Sequence, residues 1–378
     1  MKSNELGAIL ILLTILLSGC SNNITGNHIE ERPLKVGAIL PMTGPGAIWG
    51  EPTRNGMELA RQELSQDGTQ IEIIYEDSQL SQTVGISAYN KLKQIDKVDA
   101  VATLASRIGI PLIQFADRDK TPLIMTITSA KGAAATSPYA FRFFTNEKSY
   151  VNPHFEAGLI EDKIAIIYIN DEYGVSIKQQ IESQAKKNNI QITAQETFEP
   201  STTDFRSQLV KIKSTKPKTL LFVAATPIEV TNILKQAQEI ELNCNIVETS
   251  TLLSEKTIRN IVGNSTENIH TDAFPFTLQQ TGTEFRAKYK DTYNQDPTFA
   301  SAFGYDIIKM LAKASNGKSV PGQTLKDNIL QLKELDTLNG LVTIQPNGEI
   351  NPELYSTKIV NNELELSKTT NTRKNSHN

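Results

Sequence analysis

Short β-branched runs alternate with helical stretches along most of this chain, and the alternation starts over at Lys163. The first series of strand candidates is Leu34–Leu40, Ile71–Tyr75, Ala100–Leu104 and Leu123–Thr126. The second is Ile164–Ile169, Ile190–Ala194, Thr219–Val223 and Ile246–Val247. Helical patterns lie between them at Gly50–Leu64, Thr83–Ile95, Tyr173–Lys187, Asp204–Lys213 and Pro227–Glu239. In the last of these, Ile228, Val230, Ile233, Leu234 and Ala237 recur close to one 3.6-residue face. Strands separated by a crossover helix run parallel, and a parallel sheet needs helices on both faces. The repeated pattern therefore predicts an α/β fold of two doubly wound, Rossmann-like lobes, with a linker near Thr145–Tyr150. After Thr277 the texture changes to helical segments at Gln279–Tyr293, Phe299–Ala314 and Gln323–Leu332, then strands at Leu341–Ile344 and Tyr355–Val360. These strands are too few for a third domain. They are expected to return to the lobes, giving 33–147 with 275–337 as the first and 148–274 with 338–362 as the second. Several crossings make a multi-strand hinge, not a single tether.

The N-terminus carries a different signal. The apolar run Leu6–Leu17 ends in Leu17-Ser18-Gly19-Cys20. Twelve residues rise only about 18 Å as a helix, short of a hydrocarbon core of roughly 30 Å. The run reads as a secretory signal segment over residues 1–19. A cysteine directly after small residues resembles a bacterial lipobox. That resemblance implies lipid on the Cys20 thiol and a membrane-anchored, extracytoplasmic protein. Residues 20–32 are polar and aperiodic, as expected of a flexible tether with a span of about 20 Å. Residues 363–378 are expected to form a disordered tail.

Composition excludes several classes. A net charge of −4, from 38 basic and 42 acidic residues, offers no basic patch for phosphates, so no nucleic-acid partner is expected. With Cys20 committed to lipid, Cys244 has no intramolecular partner. His28, His154, His270 and His377 are scattered. The chain shows no phosphate-cradling Gly-rich motif with Lys, no metal-spaced His pair and no nucleophile elbow. Neither an enzyme nor a cofactor or metal is expected.

In open parallel sheets, ligands sit beyond the carboxyl ends of the strands. Two facing lobes make the cleft between them the default site. The relevant loops are Pro41–Gly50, Asp77-Ser78, Ala105-Ser106-Arg107 and Thr126–Ser129 in the first lobe. In the second they are Asn170–Gly174, Ala225-Thr226-Pro227 and Thr249-Ser250-Thr251. They supply hydroxyls, helix-start amides and aromatic faces, suited to a carboxylate with an organic body.

Several of these pieces fall in a familiar order. Lys35-Val36-Gly37-Ala38 precedes Met42-Thr43-Gly44-Pro45 and Tyr75-Glu76-Asp77. Lys163–Ile166 then precedes Asp171-Glu172-Tyr173-Gly174 and Ala302–Asp306. Over roughly 34–360 the chain resembles the type I periplasmic binding proteins of the branched-chain amino acid receptor family. That resemblance implies a small molecule held between the lobes and delivered to an ABC permease. It implies ligand-contact positions at Trp49, Ser106, Ile127, Ser129, Tyr173 and Thr226. Trp49 is also readable as a packing residue, Ser106 and Ser129 as caps or turn residues, and Thr226 as a cap for the helix at Pro227. Arg107 beside Ser106 points to an anionic ligand group or a cross-cleft ion pair.

One position departs from the family. Where the family places an acid for the ligand ammonium, this chain has Thr251, and Glu248 is three residues away. A buried ammonium without a carboxylate is costly, so an amide or short organic acid competes with an α-amino acid. A ligand sensor or regulatory receptor of the same fold is the alternative to transport.

Overall fold

The structure, a computed structural model, describes residues 32–367. Cys20 and the expected signal segment lie outside the described residues.

The first sheet is built from β1 (Leu34–Leu40), β2 (Ile71–Asp77), β3 (Ala100–Leu104), β4 (Leu123–Thr126) and β5 (Ala140–Phe143). All five are parallel, and β3, β4 and β5 are buried along their whole length, as helices on both faces require. Helices α1 (Ala47–Gln66), α2 (Gln82–Gln94) and α3 (Ser106–Arg118) connect them. The chain then passes through α4 (Glu147–Glu156) to a second sheet of β6 (Lys163–Ile169), β7 (Gln191–Phe198), β8 (Thr219–Val223), β9 (Asn245–Glu248) and β10 (His270–Ala273). Its helices are α5 (Glu172–Lys187), α6 (Arg206–Ser214), α7 (Pro227–Glu239) and the short α8 (Lys256–Val262).

A second crossing leads to α9 (Thr283–Tyr293), α10 (Phe299–Ser315) and α11 (Gly322–Gln331), then to a hairpin of β11 (Glu334–Thr337) and β12 (Gly340–Thr343). Helix α10 lies on α1 with backbone nearly touching backbone. A Cβ at Gly304 would stand 2.1 Å from the Thr53 carbonyl oxygen, and one at Gly56 1.9 Å from that of Ser301.

Two expectations about the C-terminal part are corrected. The return to the second lobe does not begin at 338: β13 (Glu349–Ile350) pairs with β5 in the first sheet, and the second sheet is rejoined only at β14 (Tyr355–Val360). Two residues are too few to show a strand period, and a buried ion pair described below holds them in place. Nor does disorder begin at 363, because β15 (Glu363–Leu366) pairs antiparallel with β14. Asn361 and Asn362, with φ of 51° and 63°, form the two-residue turn between them.

The chain thus crosses between the sheets three times. The segments entering or leaving the second sheet are tied together by buried hydrogen bonds. His154 of α4 lies 3.0 Å from Asp272 of β10 through Nε2, and 3.3 Å from the Ser356 hydroxyl of β14 through Nδ1. Among the described residues no helix is long and apolar enough to cross a membrane.

Candidate ligand-binding cleft

Strand register determines what faces the cleft. Leu40 pairs with Asp77 and Leu104 with Thr126, so the first sheet's strand ends form one edge. In the second sheet Phe222 pairs with Glu248, which brings the loops after β8 and β9 together. Between the two edges is a cleft of about 660 Å³ of empty space, mouth included, within the usual range for small-molecule sites.

Seven of the eight positions singled out from the sequence line this one cleft: Trp49, Ser106, Arg107, Ile127, Ser129, Tyr173 and Thr251. Trp49 is in the first turn of α1, not in the preceding loop, and stacks on Phe299 with ring centroids 5.1 Å apart. The preceding loop is pinned by Asp77, whose carboxylate accepts from the Met42 amide at 2.9 Å and the Thr43 hydroxyl at 2.5 Å. Ser106 opens α3, so its amide and that of Arg107 have no acceptor within the helix. The Ser106 oxygen accepts from the Ala130 amide at 3.3 Å, leaving the hydroxyl proton free to donate into the cleft.

Two residues on this wall have strained backbones. Ala105 has φ 77° and Ile127 φ 47°, a region that β-branched side chains disfavour strongly. Such strain persists where the surroundings over-determine it, and it concentrates at ligand sites. Here the surroundings include Arg142, which donates to the carbonyls of Ser129 at 3.4 Å and Ala130 at 2.8 Å. The same guanidinium grips Glu349 of β13 through two bonds of 2.7 and 2.6 Å.

On the facing lobe Tyr173 donates to the Thr249 carbonyl at 3.2 Å. Burial foremost, then the neighbouring Tyr150, Glu248 and Asp171, push its phenol well above the ordinary value, so it stays protonated. Arg107 reaches across the cleft to Asp171 at 2.9 Å, the cross-lobe ion pair considered from the sequence. Asp171 also caps α5 by accepting from the Gly174 amide at 2.9 Å.

Thr226 stands apart. It caps α7, its amide donating to Glu229 at 3.1 Å, and it borders a smaller neighbouring pocket instead of the main cleft. The sequence reading missed Leu80, Phe144, Tyr150 and Phe299, which supply much of the apolar wall. Tyr150 follows a helix cap at Asn146 and Phe299 starts α10, so neither lies at the end of a strand. No local signal distinguishes them from core aromatics.

Glu248 does not face the ligand space. Its carboxylate is buried and accepts from the Ser250 hydroxyl, the Thr271 hydroxyl at 2.5 Å and the Leu253 amide at 3.1 Å. Burial raises its pKa to about 7, and burial does the same to Glu255. Both groups hold their proton in the folded protein to higher pH than in the unfolded chain, where the ordinary value is 4.5. Their contribution is fully present below about pH 4.5 and lost as pH rises through 7, on the order of 3 kcal/mol each. The melting temperature is therefore expected to fall between pH 5 and 8. Glu248→Gln and Glu255→Gln should each flatten that slope in a thermal-melt series, and an unflattened slope would show that other groups set it.

With Glu248 turned away, Asp171 is the only acid lining the cleft among the described residues, and Arg107 already occupies it. Cys244 is partly buried on β8's flank, its thiol pushed up to about 11 by burial, and has no part in the site. No group of three or more metal-ligating side chains occurs among the described residues.

Two largely parallel sheets, joined by three crossings and with a cleft at their strand ends, make the architecture of known solute receptors. The sequence pattern of the family described as periplasmic binding protein matches residues 33–363.

The chain belongs to the type I periplasmic binding proteins, in the branched-chain amino acid receptor family.

It is 21% identical over 344 residues to the Leu/Ile/Val-binding protein of Escherichia coli K12, covering 89% of this chain and 93% of that one. The match to Leu/Ile/Val-binding protein homolog 7 of Brucella suis is 22% over 208 residues and spans about half of each protein, 50% of this chain and 52% of that one. Among solved structures, the branched-chain amino acid substrate-binding protein LivJ of Streptococcus pneumoniae, in complex with isoleucine, superposes with a TM-score of 0.78 at 21% identity. The match covers 88% of this chain and 98% of that one. A solute-binding protein from R. palustris, in complex with benzoate, also gives 0.78, at 17% identity, covering 89% and 95%. At these identities the structures speak for the fold alone. As a family member the protein is a solute-binding receptor of the Leu/Ile/Val-binding type and not an enzyme, and its periplasmic binding protein homologues are extracytoplasmic.

Proposed function

We propose that this receptor captures a small carboxylate with an apolar or aromatic body and no ammonium group, and delivers it to an ABC importer. One observation carries the reading: the cleft offers no unpaired acid for an ammonium, since Asp171 is engaged by Arg107 and Glu248 is turned into the lobe. What the cleft does offer matches a carboxylate. The free amides at the start of α3 and the Ser106 hydroxyl take the anion. Trp49, Phe144, Tyr150 and Phe299 take the body. Ser129, Tyr173 and Thr251 complete the wall. Thr226 acts as a helix cap in this reading. The benzoate held by the R. palustris relative supports the ligand class, and the isoleucine held by the S. pneumoniae one marks the competing class.

Contacts from both lobes coexist only when the cleft is shut, so ligand shifts the hinge equilibrium toward closure. The lobe boundaries given above from the sequence, corrected at Glu349 and Glu363, are part of this proposal. So is lipid on Cys20, which mass spectrometry of membrane-extracted protein tests directly.

Calorimetry with benzoate and with isoleucine tests the ligand class. Benzoate should bind and isoleucine should not, and the reverse result would refute the ammonium-free reading. Ser106→Ala combined with Tyr173→Ala should weaken benzoate at least tenfold, about 1.4 kcal/mol. Unchanged affinity would remove those two residues from the site.

A further inference from the structure

Phe299 lines a second, larger cavity as well, of about 1540 Å³ with its mouth included. This cavity is bounded by α8, the crossing after β10, α9 and the start of α10. Two guanidinium groups, those of Arg259 and Arg286, lie on its wall. Arg259 is 3% exposed. Its Nε donates to the Asn362 carbonyl at 3.1 Å, and its Nη1 to those of Leu253 at 2.8 Å and Ser254 at 2.6 Å, all neutral acceptors. Arg286 lies over the Phe276 ring, 3.8 Å from its centroid, and donates to the Phe276 carbonyl. Among the described residues neither has a carboxylate within ion-pair distance. The two lysines on the same wall are paired, Lys256 with Glu363 and Lys290 with Asp296.

Glu255, the remaining acid of the wall, uses its carboxylate to accept from the Phe299 amide at 3.0 Å. Burial lowers the pKa of both arginines, against the pull of Glu363 and Glu255 on Arg259 and of Glu255 and Asp296 on Arg286.

A second, independent observation points the same way. Arg286 Nε, Thr277 Oγ1 and Thr298 Oγ1 are buried without any hydrogen-bond partner, and all three residues line this cavity. Unpaired buried donors are costly, and a buried charge without a partner more so. An oxyanion relieves both, because it brings negative charge and several acceptor lone pairs to the guanidinium forks.

We propose that this cavity is a second binding site, for a small molecule bearing an oxyanion group, either a carboxylate or a phosphate. It bears on the first site through Phe299. The ring of that residue stacks on Trp49 in the main cleft, while its amide is held by Glu255 on the second cavity's wall. The proposal does not depend on which ligand the main cleft takes.

Trp49 is the only tryptophan of the chain, so its fluorescence reports events at Phe299. The test titrates inorganic phosphate and, separately, acetate into the full chain at constant ionic strength, following Trp49 emission and the melting temperature. A saturable response to at least one anion is expected, and which anion responds distinguishes the phosphate from the carboxylate. Arg286→Gln should weaken that response at least tenfold, while Ser106→Ala, which removes the hydroxyl that takes an anion in the main cleft, should leave it unchanged. A response that survives Arg286→Gln and weakens with Ser106→Ala would place the anion in the main cleft and overturn the proposal. So would the lack of a saturable response to either anion. Thr277→Val guards against a folding defect, since it removes a hydroxyl that has no partner. It should leave the unliganded melting temperature unchanged or higher and weaken the anion severalfold. Unchanged affinity in both Arg286→Gln and Thr277→Val would likewise overturn the site.

Discussion

Gly304→Ala is expected to lower the melting temperature by roughly 4 °C or more. The added Cβ would stand 2.1 Å from the Thr53 carbonyl oxygen, and that atom is backbone within α1, so no side chain can swing away to make room. The helices must separate, at a cost of about 3 kcal/mol or more. Gly56→Ala presses on the same interface from the other side, against the Ser301 carbonyl at 1.9 Å. Because the two sites share one contact, their effects should be less than additive. The damage extends to the cleft. Helix α1 carries Trp49 and α10 carries Phe299, so parting the helices breaks their 5.1 Å stack and should weaken ligand as well. Thermal melts and ligand titration of Gly304→Ala check both consequences. An unchanged melting temperature would show that the helices do not approach this closely.

Arg142→Met is expected to cost about 3–5 kcal/mol of stability. Arg142 is 4% exposed, and its two bonds to Glu349 join the core strand β5 to the last short strand of the first sheet. Without the guanidinium, Glu349 is left as a buried charge with its main partner gone, and Glu147, 4.0 Å from the same group, loses that cation as well. The substitution also frees the carbonyls of Ser129 and Ala130, so the loop that presents Ser129 and the strained Ile127 to the cleft loses its clamp. Ligand affinity should fall with stability. Adding Glu349→Gln to Arg142→Met should recover part of the lost stability, because it removes the stranded charge. A denaturant-unfolding double-mutant cycle measures this coupling, and a coupling energy near zero would show that the pair is not an energetic unit.

The elements themselves were legible because each is a local pattern. The runs Leu34–Leu40, Ala100–Leu104, Leu123–Thr126 and Thr219–Val223, and the helix Pro227–Glu239, end where the apolar period or the cap chemistry ends, and the structure has the same bounds. Loops after such strands could be named in advance as cleft residues, since parallel sheets place strand ends at one edge. That is why Ser106, Ile127, Tyr173 and Thr251 meet in space although they are far apart in the chain.

Other features had no local signature. Ala140–Phe143 and His270–Ala273 are four-residue strands whose sequences, AFRF and HTDA, show no clean run. They are held by sheet neighbours and, in β5, by the ion pair of Arg142 with Glu349, 207 residues away.

The sequence by itself determined two wound lobes, an interlobe cleft and the hydroxyl and amide chemistry of its rim, because period, caps and strand ends are encoded within a few neighbouring residues. Only the tertiary structure decided that Glu248 turns inward, that Arg107 spends its charge on Asp171, and that Phe299 stands between two cavities. Those outcomes depend on which distant groups compete for one carboxylate or one ring face in the packed interior. Such competition is settled by three-dimensional proximity and the cost of leaving a charge unpaired, and linear order does not record either.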